Sequence, residues 1–157
     1  MQSISPFLWF NDNAEEAAKF YTSIFRNSKI TGLTRYGEAG PGPKGSVLTV
    51  AFELDGQEFR ALNGGPQFPF TEAISLVVKC KTQEEVDYFW SKLSAGGKEV
   101  QCGWLNDKFG LSWQIVPTVL IELLQEKDPQ KANRVMEAML KMIKIEISTL
   151  QKAYLQG

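Results

Sequence analysis

The sequence predicts an α+β chain of two βαβββ modules followed by C-terminal helices. Three observations predict it. A strand, an acidic helix start and a pair of aromatics recur 69 positions apart, as in a duplicated module. Each copy is followed by short segments with the alternation of half-buried strands. Past Pro117 the pattern changes to helical spacing.

The first module opens with Ser5 to Phe10, an apolar run led by Pro6, which suits the start of a strand. Asn11-Asp12-Asn13 is a turn and helix cap. Ala14 to Phe25 is then helical, with Ala17, Phe20, Tyr21, Ile24 and Phe25 at three- and four-residue spacing. Asn13, with Glu16 three residues later, forms a capping-box-like start. Lys29 to Tyr36 reads as a strand and 37–45 (GEAGPGPKG) as a loop. Ser46 to Leu54 alternates as a half-buried strand would, Asp55-Gly56 is a two-residue hairpin turn, and Gln57 to Asn63 returns.

The second module repeats this order. Ile74 to Val78 is a short apolar strand, and Thr82 caps the next helix with Glu85 three residues on. Glu15-Glu16 recurs as Glu84-Glu85, and Phe20-Tyr21 as Phe89-Trp90. The helix ends near Ser94, with Gly96-Gly97 as its stop. Lys98 to Gly103, Trp104 to Asp107 and Leu111 to Val116 take the strand positions. Gly56 and Gly110 are 54 apart rather than 69, so the second module is shorter by about the span of the glycine-rich loop.

Thr118 to Glu126 is a short helix, and Asp128-Pro129 is an N-cap with proline in the first helical position. Gln130 to Leu155 then reads as one long helix. Met136, Met139, Leu140, Ile143, Ile147, Leu150 and Tyr154 fall on one side of it. That stripe packs on its own sheet or forms a homodimer contact, since methionine-rich surfaces adapt to partners.

A length of 157 residues suits one domain. Its expected parts are module one at 1–70, module two at 71–117 and a helical extension at 118–157. A net charge of -1 gives no basic footprint for nucleic acid or anionic membrane. No apolar run is long enough to span a bilayer, and Met1 to Phe10 lacks the layout of a secretory signal. Cys80 and Cys102 form neither a CxxC pair nor a disulfide framework, which points to the cytoplasm. Histidine is absent. That removes Ser-His-Asp and Cys-His catalysis and the commonest nitrogen ligand for transition metals. Acid–base chemistry would need Asp, Glu, Lys, Tyr, Cys or water.

The densest region is 102–117, CGWLNDKFGLSWQIVP. Asp107-Lys108-Phe109-Gly110 makes the turn between two strands. On the strand that follows, Ser112 and Gln114 face one side and Trp113 and Ile115 the other. Gln114 is either a core amide bonded to backbone or a pocket group that meets a ligand. Asn63, in LNGGP at 62–66, either caps a turn or lines a cleft walled by Phe68 and Phe70. No phosphate-loop pattern accompanies Gly64-Gly65. Cys102 is read as an inert thiol, because no histidine can activate it. The candidate lining of a small-molecule cleft is Trp9, Asn63, Phe70, Trp104, Trp113 and Gln114.

These segments also carry a family resemblance. FLWF at 7–10, NAEEAAKFY at 13–21, LNGGP at 62–66, the CGW…DKFG.SWQ..P string at 102–117 and AMLKM.KI at 138–145 together resemble the PhnB-like family. This group, named 3-demethylubiquinone-9 3-methyltransferase, lies within the vicinal-oxygen-chelate (glyoxalase/bleomycin-resistance) superfamily. The resemblance implies two βαβββ modules curled round a cleft, and a homodimer. It also implies metal-ligand positions on the first and last strand of each module. Asp107 and Gly110 match that frame and place Gln114 at a ligand position, and Arg60 is its counterpart after Gly56. The first-strand positions fall around Phe7–Leu8 and Ser75–Leu76. Only Gln114 could bind a metal there, so no metal and no cofactor is expected. The first strand lacks the glycine-rich turn that S-adenosylmethionine chemistry uses.

Three readings stay open: a ligand-binding protein, an enzyme using a carboxylate base such as Glu53 or Asp107, and a pseudo-enzyme acting through its C-terminal helix.

Overall fold

The computed structural model describes residues 3–156, which form two compact units that divide after Phe70. In the first, β1 (Phe7–Phe10), α1 (Ala14–Ile24), β2 (Lys29–Arg35), β3 (Val47–Leu54) and β4 (Gln57–Asn63) give one four-stranded sheet in the order β1-β4-β3-β2. In the second, β5 (Ser75–Cys80), α2 (Gln83–Ser94), β6 (Lys98–Glu99), β7 (Trp104–Asn106) and β8 (Ser112–Pro117) repeat that order as β5-β8-β7-β6. In both, the first strand runs parallel to the last and the remaining pairs are antiparallel. The duplication read from the sequence is therefore a duplication of topology.

Alternation decides which sheet face is covered. Leu8, Phe10, Val50, Phe52, Leu54, Phe59 and Ala61 are buried and meet the apolar side of α1, where Ala14, Ala17, Ala18, Tyr21 and Ile24 are buried. Val78, Cys80, Leu105, Trp113 and Ile115 do the same for Val86, Trp90 and Leu93 of α2. The opposite face of each sheet is turned away from α1 or α2 and carries mixed residues, and in the second unit Val116 at its end packs on the C-terminal extension. Asp55 (φ 48°) and Gly56 (φ 79°) both take positive φ, the type I′ geometry that matches strand twist.

The two helix starts differ from each other. Thr82 accepts a bond from the Glu85 amide at 3.2 Å, and Glu85 reaches back to the Lys81 amide at 3.4 Å, close to the expected capping box. Asn13 makes no side-chain cap bond. Instead, the Ala14 amide donates to Asn63 Oδ1 at 2.8 Å, because the parallel register seats Asn63 beside Phe10 at the mouth of the helix.

The long C-terminal helix is also corrected. The extension folds as α3 (Thr118–Leu124), α4 (Pro129–Leu140) and α5 (Ile147–Leu155), with a break at 141–146. No proline or glycine lies in the break, so its cause is tertiary. The Cys102 and Gly103 amides donate to the carbonyls of Met142 and Ile143, both at 2.8 Å. Gln83 on α2 clasps the far side: its Nε2 donates to the Ile145 carbonyl (3.0 Å), and its Oε1 accepts from the Ile147 amide (2.8 Å). The break drives Met142 and Ile145 into a core with Leu120, Val135 and Leu150. The expected stripe splits accordingly: Leu150 is buried, Met139, Ile147 and Tyr154 are half-buried, and Met136, Leu140 and Ile143 are exposed. Among the described residues, no helix is long and apolar enough to cross a membrane.

Candidate functional site

The six expected lining residues separate by sheet face. Trp9, Trp104 and Gln114 stand on the open faces. Asn63, Phe70 and Trp113 lie on the helix-covered side.

On the open face of the first sheet, Trp9 packs edge-on against Phe68, with ring centroids 4.9 Å apart. Its indole N–H donates to the Gly65 carbonyl at 2.9 Å. A methyl on Gly64 would collide with that indole, so glycine is required where backbone crosses the ring. Phe7 sits two residues earlier on the same face and is 56% exposed. The register sets Phe7 and Ala51 on either side of Arg60. Arg60 Nε donates to Glu58 Oε1 at 3.3 Å, and Glu58 in turn faces Glu53 across the strands.

On the open face of the second sheet, Trp104 lies directly across from Gln114. Gln114 is half-buried, and its Nε2 donates to Ser75 Oγ at 2.9 Å rather than to backbone. Asn106 donates to Ser112 Oγ at 3.0 Å beside it. Trp113 projects the other way. It is 2% exposed, and its indole N–H donates to Asp107 Oδ2 at 2.9 Å. Asp107 Oδ1 accepts from the Phe109 and Leu111 amides at 2.8 and 3.1 Å. The carboxylate thus holds three N–H donors and fixes both the DKFG turn and the tryptophan behind it.

Module one also holds a cleft of about 800 Å³ where the start of α1 meets the ends of β1 and β4. Of the six expected residues, Asn63 alone is among its described lining. Both ends of the amide are engaged: Oδ1 caps Ala14, and Nδ2 donates to the Val47 carbonyl at 3.1 Å. The lining includes Asp12, Glu15 and Glu16 and, among the described residues, no lysine or arginine. Phe70 packs on Phe10 with centroids 5.2 Å apart.

Two participants, Tyr36 and Gln83, were not anticipated from the sequence, and Ser75 was expected only near a first-strand metal position. Tyr36 is buried, donates its hydroxyl to the Asn63 carbonyl at 2.6 Å, and has the glycine-rich loop wrapped over its ring at Gly40 and Gly42. Glycines spaced after an aromatic were the available signal. Gln83 carried none, because its partners are remote in sequence, and the same distance hid the bond between Ser75 and Gln114.

Cys80 is buried, and that burial, reinforced by the nearby Glu85 charge, pushes its thiol up to about 12. Such a thiol is inert at neutral pH.

Comparison with known proteins places this arrangement. The model for 3-demethylubiquinone-9 3-methyltransferase matches residues 2–116. The chain belongs to this PhnB-like family. A PhnB protein of Bacillus cereus, described as a 3-demethylubiquinone-9 3-methyltransferase, is 43% identical over 74% of this chain and 99% of its own, with a TM-score of 0.68. A Pseudomonas aeruginosa protein shares the fold at 18% identity and a TM-score of 0.63, covering 74% of this chain and 98% of that one. So does the fosfomycin resistance protein FosX of Listeria monocytogenes, solved with Mn(II) and sulfate, at 17% identity and a TM-score of 0.51, covering 74% and 91%. No curated protein matches the chain. The PhnB-like family model ends at residue 116, so the 138–145 string and all of α3 to α5 lie beyond it.

Family membership raises the question of a metal. The equivalent first- and last-strand positions are Phe7 with Arg60, and Val77 with Gln114. In the second module the register thus moves the first-strand position from Ser75–Leu76 to Val77. A phenyl ring, an isopropyl group and a guanidinium supply no lone pair, and the guanidinium repels a cation. Among the described residues, no group of three or more His, Cys, Asp or Glu could hold a metal ion. These residues do not fit a divalent cation.

Proposed function

We propose that this PhnB-like chain binds a small organic molecule directly, without a metal, on the open faces of its sheets, as a cytoplasmic homodimer. The observation that carries the reading is the Trp104–Gln114 pair. An indole and an amide stand directly opposite on adjacent strands, the amide orientation set by Ser75. An aromatic wall with a few oriented polar groups is the usual make-up of a ligand site. Trp9 offers a second aromatic in module one. Asn63, Phe70 and Trp113 support these faces from behind, and both modules are read as parts of one functional domain.

Methyl transfer forms no part of this reading. The fold is two mixed four-stranded sheets, and β1 leads into Asn11-Asp12-Asn13 rather than a glycine-rich turn. An enzyme reading would rest on Glu53, because Asp107 is already occupied by its three donors. Apolar side chains exposed on the C-terminal extension, Met136, Leu140 and Ile143, suit cover by a second copy. Both cysteines are free thiols, which suits a reducing compartment.

Native mass spectrometry of the untagged protein tests this. A dimer with no metal mass is expected. One metal per chain would overturn the metal-free reading, and a monomer the dimeric one.

A further inference from the structure

We infer that module one binds the carboxylate of a small organic anion through Arg60. This deepens the proposed function and rests on it.

The argument starts from the duplication. Arg60 and Gln114 each lie four residues after a hairpin glycine, Gly56 and Gly110, both at positive φ. Each sits on an inner strand, with its first-strand neighbour Phe7 or Val77 on one side and Ala51 or Trp104 on the other. These are the positions where a chelating site would supply lone pairs to a cation. Arg60 supplies N–H donors and a permanent positive charge instead. The polarity of the site is inverted, so the ligand must bring the lone pairs.

The guanidinium is placed to accept them. Its side chain is 55% exposed and rises between Phe7 and Ala51, two apolar neighbours. Among the described residues Nε is engaged with Glu58 at 3.3 Å, and the two Nη atoms make no hydrogen bond. That leaves the forked edge that matches a carboxylate in two parallel bonds. Phe7 offers a flat apolar surface beside it. Glu58 is the competing carboxylate, Glu53 lies directly across from Glu58, and Lys29 lies across from Glu53.

Benzoate and its neutral counterpart benzamide are the probes, titrated by amide NMR into wild type, R60Q, R60K and E58Q, each checked for folding by thermal melting. Wild type is expected to prefer benzoate, with shifts at Phe7, Ala51 and Arg60. R60Q should weaken benzoate about tenfold or more and leave benzamide unchanged. R60K, which keeps the charge and loses the fork, should fall between, and E58Q should bind benzoate more tightly. Benzoate bound no better than benzamide by wild type, or equally well by R60Q, overturns the assignment to Arg60. Benzamide binding without that preference leaves direct ligand binding standing. Stoichiometric Mn(II) uptake by wild type would instead strike the metal-free reading itself.

Discussion

Asn63 shows how one residue ties three parts of the chain through its side chain and its backbone carbonyl. Its Oδ1 caps α1, its Nδ2 ties β3, and its carbonyl receives the Tyr36 hydroxyl. Replacement by alanine removes the cap and strands a part-buried carbonyl and amide. We expect Asn63→Ala to cost about 1–3 kcal/mol in urea unfolding. Asn63→Asp should keep the cap but place a carboxylate oxygen against the Val47 carbonyl, so it should recover part of the loss at most. Equal stability of all three proteins would show that water replaces both bonds. Asp107 is a parallel case in module two, where three N–H donors converge on one carboxylate. Both residues stand in the motifs richest in site-like chemistry, and both are occupied with holding the fold.

At the scale of elements, the break at 141–146 is the least local feature of the chain. Gln83 closes it through two backbone bonds, and Lys144 adds an ion pair with Asp87 at 2.8 Å. Gln83→Ala should strip hydrogen-exchange protection from the Ile147 amide and the first turn of α5, while α2 keeps its own. Unchanged protection at Ile147 would mean that the apolar core alone seats the helix. The ion pair has a defined pH window. Hydrogen bonds from Lys144 and Gln83 hold the Asp87 carboxyl below the usual aspartate range, and the Asp87 bond lifts Lys144 above the usual lysine range. The aspartate contribution is present above its unfolded pKa and is lost as pH falls through the lower folded value. The lysine contribution is present below its unfolded pKa and is lost as pH rises through the higher folded one. The latch is thus intact across neutral pH. Asp87 is exposed and Lys144 only half-buried, so solvent screens the pair and each contributes modestly.

For the whole molecule, the extension beyond the family model is part of the second unit's core. Val135, Met142, Ile145 and Leu150 pack with Leu120, and the carbonyls of Met142 and Ile143 hold the 102–103 turn. Deleting residues from Asp128 onward should lower hydrogen-exchange protection across 98–117 and leave 7–63 protected. If 98–117 keeps its protection, the extension is accessory, and its exposed Met136, Leu140 and Ile143 gain weight as a partner surface.

Periodicity, caps and turn chemistry by themselves determined both βαβββ modules, their helices and the Asp55-Gly56 hairpin, because each follows from interactions within a few residues. Alternation along the last strand also placed Trp113 and Gln114 on opposite faces. Motif density did not separate scaffold from site. Asn63 and Asp107 look alike on paper whether they bind a ligand or a backbone amide, since the same polar groups serve either purpose. Tertiary structure alone decided that Asn63 rather than Asn13 caps α1, that Gln83 ends the long helix, and that Arg60 stands opposite Phe7. Each of those outcomes is a contact between residues far apart in the chain, and local spacing carries no record of it.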